Sequence, residues 1–329
     1  MTKCALITGG SGQDAWYLSR RLLKQGFAIH LQTRNERASD PEVGMHWHVG
    51  DLTDSEFLSE LISSLQPDQI YNLASVSRPS IAWGVPFQTA TLNAFVPQQI
   101  CEFIRRHSPN SRVFQASSSE IFGEPTSPSQ DEQTPNEPRT PYGIAKAYAH
   151  RIIGAYRSQY GLHLSSGILF NHESPRRPLS FVSQKICHAA AAVSLGFSET
   201  RALDERGRPI LQNGKVTLGD LNVRRDFGFA GDYVEAMQLM LEADAPDDFV
   251  IGTGQQHSIA ELCEVAFGAI GRDWREHVIS DPLLVRKIDN HYTCADPAKI
   301  RSRLGWSART SFNDLVAMLV DHQIASLRS

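Results

Sequence analysis

Long apolar runs are missing from this chain. The longest candidate, AAAAVSLGF at 189–197, falls well short of the roughly 20 residues that a membrane helix needs. No basic-then-apolar leader precedes the first strand-like segment, so neither a membrane nor an export route is expected. Cysteine is scarce and unpatterned. Cys4, Cys101, Cys187, Cys263 and Cys294 are odd in number and show no Cys-x-x-Cys spacing, which excludes a disulfide framework or a zinc site and points to reduced thiols in the cytoplasm. Charge of one sign is lacking too. Lys and Arg total 32 against 36 Asp and Glu, a net charge of −4, so neither nucleic acid nor a membrane surface is an expected partner. Any anionic ligand must be met by a few local arginines. There is no internal repeat and no low-complexity tract.

What the chain does have is 329 residues, enough for one large or two unequal domains, and a regular alternation of strand and helix patterns. KCALITG (3–9) reads as a buried strand running into GSGQDAWYLSRRLLKQGF, a helix with a leucine stripe that Gly26 ends. Gly9-x-x-Gly12-x-x-Ala15 bridges the two. The first glycine suits a tight turn, the second lets the backbone approach a pyrophosphate, and the third position needs only a small residue. The helix N-terminus then offers N–H groups to the anion. FAIHLQT follows and ends at Arg34, with no acidic residue to hold a ribose 2′-hydroxyl. Arg34, with Arg37 nearby, suits a 2′-phosphate and hence NADP, unless it is simply solvated. MHWHVGDLTD is a third strand. His46 and His48 lack a third ligand and are read as strand decoration rather than metal ligands. Asp51 either meets an adenine edge or caps the helix in DSEFLSELISSL. DQIYNLAS is the fourth strand, with Leu73 and Ala74 at its cofactor end, and a helix over 86–106 leads to a fifth. The alternation predicts an α/β fold with a doubly wound parallel sheet, of the dinucleotide-binding (Rossmann) kind.

The stretch from Val113 to Lys146 organises the rest. VFQASSSEIFG reads as a buried strand breaking into hydroxyls and a carboxylate, and TPYGIAKAYA as a helix entered through a proline. Tyr142 and Lys146 lie one turn apart on one face of that helix. A neighbouring cation favours phenolate by roughly 1–3 units, which predicts a lowered Tyr142 pKa and a working acid/base couple. Such a pair can also arise by chance on a solvated helix. Beyond it, LHLSSGILFNHESPRR predicts a sixth strand and then a polar loop carrying Asn171, His172, Glu173, Arg176 and Arg177. Segment 198–215 predicts an exposed loop or hairpin, a candidate lid. RRDFGFAGDYVEAM predicts an arginine pair followed by a helix, FVIGTG a short strand, and 257–270 and 311–326 two more helices.

Taken together, TGGSGQDA, GDLTDS, YNLAS, QASSSEIFG, TPYGIAKAYA, GILFNHESPRR, RRDFGFAGDYVEAM and LGW resemble the GDP-mannose 4,6-dehydratase family of the extended short-chain dehydrogenases, over nearly the whole chain. The resemblance implies Ser118 (for the family threonine), Glu120, Tyr142 and Lys146 as catalytic residues. It implies Gly9, Gly12, Gln13, Asp14, Arg34, Asp51, Leu52, Leu73, Ala74 and Ser75 as NADP contacts, with Tyr142 and Lys146. Ser77, Ser118, Asn171, Glu173, Arg177, Lys185, Arg225 and Arg286 would hold a nucleotide sugar, and arginine forks suit its diphosphate. Ala15 replaces a family glycine, Arg78 stands where a histidine is expected, and 198–215 looks like an insertion. A family Arg-Pro-x-Glu-Val reads Arg286-Lys287-Ile288-Asp289-Asn290, which bears on the identity of base and sugar.

The implied reaction is an NADP-dependent 4,6-dehydration. Tyr142 takes the 4-hydroxyl proton during oxidation at C4, Glu120 takes the proton from C5 as water leaves C6, and hydride returns to C6. Glu120 separates this from a 4-reductase or 4-epimerase, which needs no base at C5, although it could also cap a turn. A dehydratase of another nucleotide sugar stays open. A non-catalytic NADP sensor would have no use for Ser118, Tyr142 and Lys146 together. The dinucleotide domain is expected over 1–168, with returns near 222–250 and 285–297, and the smaller substrate domain over 169–329. A homodimer or homotetramer is implied through helices near 86–106 and 142–160.

Overall fold

The computed structural model describes residues 2–35, 44–204, 206–285, 288, 290 and 292–329. The first half alternates as its sequence dictates. Strand β1 (Cys4–Thr8) is apolar and buried, helix α1 (Gln13–Lys24) turns its leucine stripe inward, and β2 (Ala28–Thr33), β3 (Met45–Val49), α2 (Ser55–Leu65) and β4 (Gln69–Asn72) follow. The cap of α2 is Asp54, whose carboxylate accepts from the N–H groups of Glu56 and Phe57. Asp51 instead closes a turn, accepting from the Thr53 N–H and hydroxyl at 2.9 Å.

A short helix α3 (Pro79–Ala82) precedes a long one. Helix α4 (Pro86–Ala90), a π turn over Thr91–Phe95 and α5 (Val96–His107) run on without a break. Pro97 has no N–H to give to Asn93, and the wide turn ahead of it absorbs the fault. Strand β5 (Arg112–Ala116) ends in a 3₁₀ turn at Ser119–Phe122. Helix α6 (Pro141–Tyr160) starts where the Thr140 hydroxyl accepts from the Gly143 N–H at 3.0 Å. Strands β6 (Leu164–Leu169) and β7 (Asn171–Glu173) come next, then α7 (Val182–Ser194), the hairpin β8 (Leu211–Gln212) and β9 (Lys215–Leu218), and β10 (Arg224–Phe229). The chain finishes with α8 (Ala230–Glu242), β11 (Phe249–Ile251), β12 (Gln256–Ser258), α9 (Ile259–Gly268), β13 (Val278–Ser280), α10 (Ala298–Leu304) and α11 (Phe312–Arg328).

Seven strands pair in the order β11-β6-β5-β4-β1-β2-β3, every pair parallel. Strand order reverses between β1 and β4, and a crevice opens there beyond their carboxyl ends. Helices α1 and α8 bury one face of this sheet, and α2, α5 and α6 bury the other. A separate apolar cluster joins α7, α9 and α11 to the hairpin. Strand β11 re-enters the large sheet at the end of the expected 222–250 return, whereas β10 pairs with β7 and β12 in a sheet of its own.

Three expectations change. The predicted polar loop at Asn171–Glu173 is a strand, and β10 is a second strand inside the stretch read as an arginine pair. Both are short and carry several polar side chains, of which Asn171, His172, Glu173 and Arg225 line the cleft, and this hides any apolar alternation. Segment 198–215 does form a hairpin, turned by Asn213 and Gly214 in the left-handed region. It is no lid. Ile210 and Leu211 are buried in the cluster with α7, and among the described residues none of 198–215 borders the cleft.

Candidate active site

At the switch point, Gly9 has φ +67°, and a Cβ there would stand 3.0 Å from the Ala74 backbone. Only glycine lets the turn lie so close to the end of β4. The Thr8 hydroxyl holds that end by accepting from the N–H groups of Leu73 and Ala74. Gly12 precedes α1, whose first N–H groups face the crevice. This cradle fits a dinucleotide pyrophosphate. Arg34 is exposed at the end of β2, and its charge helps hold the Asp51 carboxyl at the end of β3 below its usual range, after the Thr53 N–H. Leu52 is only 2% exposed and belongs to the core, so it can offer a cofactor no more than its backbone. The Gln13 side chain is also spent internally: its amide donates to the His172 carbonyl and its oxygen accepts from the Ser174 hydroxyl, both at 2.9 Å.

The strand-to-helix passage after β5 gathers the proposed catalytic groups. Ser118, Glu120, Tyr142 and Lys146 all line one open cleft. Ser118 caps the 3₁₀ turn by accepting from the Glu120 N–H, and Glu120 itself lines the cleft. Gly143 allows the turn to rest on α6, for a Cβ there would sit 2.6 Å from the Glu120 carbonyl oxygen. Tyr142 and Lys146 do share a face, the ammonium lying 5.8 Å from the phenol ring centroid.

The electrostatics reverse the expected sign. Burial pushes the Tyr142 phenol up to about 12, helped by the nearby Glu120 carboxylate and opposed by the Ser118 and Ser75 hydroxyls and by Arg177. Lys146, buried and donating to the Ala116 carbonyl at 2.8 Å, is pushed down to about 8. Desolvation outweighs the attraction that sequence spacing suggests.

Opposite, β7 and β10 supply the other wall. Asn171, Glu173, Arg177, Lys185, Arg225 and Ser77 line the same cleft, as do Asp14, Leu73 and Ser75. Glu173 is buried, accepts from the Ser183 hydroxyl at 2.6 Å and lies 3.5 Å from the Arg177 guanidinium, which stacks on Phe181. Glu173 therefore positions Arg177. Arg286 lies outside the described residues, as do Arg37, Lys287 and Asp289. Gly9, Gly12, Arg34, Asp51, Leu52 and Ala74 stand outside the lining of this cleft, at the carboxyl edge of the large sheet.

His172 is the residue that sequence reasoning passed over as a loop polar group. Its Nδ1–H donates to the Phe170 carbonyl at 2.8 Å, its ring stacks on Tyr233, and Nε2 meets the Asp14 carboxylate at 3.1 Å. Burial disfavours both charges, yet each outweighs that cost for the other: the Asp14 carboxyl is lowered and the His172 imidazole raised. The second oxygen of Asp14 is buried without a hydrogen-bond partner, as is the hydroxyl of Ser117, and both residues line the cleft. Among the described residues no group of three His, Cys, Asp or Glu could hold a metal ion, all five cysteines are free, and no helix is long and apolar enough to cross a membrane.

A doubly wound sheet with a glycine cradle at its switch point, and a Ser/Tyr/Lys set between β5 and α6, defines an extended short-chain dehydrogenase. Among solved structures, a UDP-glucose 4-epimerase of Thermotoga maritima shares this fold with a TM-score of 0.85, 20% identity, and coverage of 98% of this chain and 99% of that one. A dTDP-glucose 4,6-dehydratase of Bacillus anthracis does so with a TM-score of 0.82 at 18% identity, covering 99% of this chain and 98% of the other. The family model for GDP-mannose 4,6 dehydratase matches residues 6–319. GDP-mannose 4,6 dehydratase 1 of Arabidopsis thaliana is 37% identical over 340 residues, covering 98% of this chain and 90% of that protein, and the human GDP-mannose 4,6 dehydratase is 35% identical, covering 99% and 92%. The chain belongs to the GDP-mannose 4,6-dehydratase family, an enzyme of the nucleotide-sugar 4,6-dehydratase class.

Proposed function

We propose that this enzyme converts GDP-mannose to GDP-4-keto-6-deoxymannose with NADP as its resident cofactor. The observation that carries the reading is the convergence of Ser118, Tyr142 and the Glu120 carboxylate on one cleft. A reductase or epimerase needs the first two; only removal of a proton from C5 calls for the third. NADP, when bound, would supply the hydride acceptor for C4 and the hydride donor for C6. Tyr142 removes the 4-hydroxyl proton while Ser118 holds that oxygen. The 4-ketone acidifies C5–H; Glu120 takes that proton and gives it to the departing C6 hydroxyl, which leaves as water, and the proton taken from the 4-hydroxyl balances the one C5 regains when hydride reaches C6.

Burial raises the Tyr142 phenol, the Ser118 hydroxyl and Arg177 work against that rise, and the Lys146 ammonium lies 5.8 Å from the ring on the same helix face. Asn171, Lys185, Arg225 and Arg286 hold the nucleotide sugar, and Arg34 favours the 2′-phosphate of NADP. Residues 1–168 and the β11 return make the dinucleotide unit, and most of 169–329 the substrate unit. Two copies associate through the helices at 86–107 and 141–160, whose exposed Phe87, Phe95, Ile144 and Tyr148 form one apolar face. The compartment is the cytoplasm.

The test is incubation with GDP-, dTDP-, UDP- and CDP-sugars, followed by mass spectrometry. Loss of one water from GDP-mannose with no net NADPH consumption supports the reading. Net reduction, or C4 inversion without loss of water, contradicts it.

A further inference from the structure

The cleft extends well past the catalytic groups. From Ser118 and Tyr142 it passes the buried cations Lys185 and Arg225, at 7% and 9% exposure, and ends between the exit of β9 and the turn at 282–285. A diphosphate set against those cations places the hexose at Tyr142 and the nucleoside at this far end. The far end is an apolar slot of Leu218, Val223, Ile259, Leu284 and Val285, where Asp220 is the one carboxylate among the described residues. Of the other acidic residues lining the cleft, Asp14 is paired with His172, Glu173 with Arg177, and Glu120 lies beside Tyr142.

The loop that carries Asp220 is braced on both sides. The Asp281 N–H donates to the Leu218 carbonyl at 2.8 Å and the Ser280 hydroxyl to the Gly219 carbonyl at 2.9 Å. The Asn222 N–H donates to Asp220 Oδ1 at 2.8 Å and fixes the carboxylate plane, so the side chain is oriented before any ligand arrives.

We infer that Asp220 selects the base: its carboxylate receives the adjacent N1–H and 2-amino donors of guanine while the apolar slot covers the ring faces. The chemistry is selective. A carboxylate is an acceptor only, and guanine alone among the common bases sets two donors side by side on its pairing edge. Uracil and thymine put carbonyls on both sides of one N–H, and adenine and cytosine put an acceptor next to their amine. Against each of them one carboxylate oxygen would be buried facing a lone pair, the mismatch that gives polar recognition its large discrimination.

This inference rests on the GDP-sugar reading and is tested separately from it, by calorimetric binding of GDP, IDP and UDP to the enzyme saturated with NADP. IDP differs from GDP only in lacking the 2-amino group. Loss of one hydrogen bond to a charged group corresponds to roughly tenfold or more in affinity. The unaltered enzyme is expected to bind GDP at least about tenfold more tightly than IDP, and Asp220→Asn to bring the two within about threefold of each other. Equal affinity of the unaltered enzyme for GDP and IDP overturns the assignment without any variant. So does an undiminished GDP preference in Asp220→Asn, or in Asp220→Ala if the asparagine protein does not fold. Tighter binding of UDP than of GDP by the unaltered enzyme would instead remove the GDP-sugar reading, and this inference with it.

Discussion

Asp14 at the start of α1 and His172 in β7 meet at 3.1 Å although 158 residues separate them. One belongs to the glycine cradle and the other to the wall opposite. The two Gln13 hydrogen bonds run beside this ion pair, so the N-terminus of α1 is fastened to His172 of β7 at two points and to Ser174, just past the strand, at a third. Cofactor cradle and substrate wall are thus one rigid unit at the place where the ligands must touch.

Breaking this pair should cost more than a surface ion pair. Asp14→Asn leaves a buried imidazole without its counter-charge, and the expected loss is about 3–5 kcal/mol of folding stability. The sign with pH follows from both partners. The raised His172 contributes stability fully below its ordinary value of 6.5 and loses it as pH rises through its folded value; the lowered Asp14 contributes above 3.8 and loses it as pH falls through its own. Urea unfolding of the two proteins should differ most between roughly pH 4 and 6.5, and less in alkaline buffer. A difference that grows with pH would contradict the pairing.

Lys146 makes the opposite kind of statement. Between about 8 and its ordinary 10.5 the unfolded chain holds a proton that the folded chain has released, so its share of stability rises with pH across that window. Below the window the cost of burying an ammonium is constant, on the order of 3 kcal/mol. Lys146→Met should therefore be more stable than the unaltered enzyme near neutrality, and the gap should close by about pH 10.5. Denaturation midpoints at several pH values decide it.

Gly143→Ala tests how closely the Glu120 turn must rest on α6. The added methyl group meets a backbone oxygen at 2.6 Å, which cannot rotate away. The turn must shift, and a displaced Glu120 should lower kcat by about a hundredfold while leaving NADP affinity, measured by fluorescence, within a few fold. Unchanged turnover would mean that the placement of this carboxylate is not demanding.

The apolar face of the two long helices is expected to be covered by a second copy. Phe87, 88% exposed, lies on it with Ile144 at 56%. Replacing both by Arg should give a monomer by light scattering where the unaltered chain gives a dimer or tetramer. An unaltered chain that is already monomeric removes the proposal.

Much of the large sheet was legible because its signals are local: a buried strand, a glycine turn, a capped helix, repeated. The wall opposite was not, because Asn171–Glu173 and Arg224–Phe229 pair with each other over some fifty residues and keep polar groups for the cleft. Segment 198–215 reads as a loop or hairpin from its charge and its Gly and Pro content, but its burial against α7 is a tertiary fact. Tyr142 and Lys146 were found by spacing, and the direction of their pKa shifts was not, since spacing carries no measure of desolvation. Asp220 gave no sequence signal at all, because a carboxylate in a loop acquires meaning only from the slot around it.

The most direct measurement is rapid mixing of Glu120→Gln with GDP-mannose, following NADPH absorbance and the sugar product together. A protein whose Tyr142, Ser118 and Lys146 are intact should still oxidise C4, so NADPH should accumulate while 4-keto-6-deoxy product falls by about 100-fold or more. Product formed at the normal rate, with no build-up of NADPH, would show that residue 120 is not the base at C5.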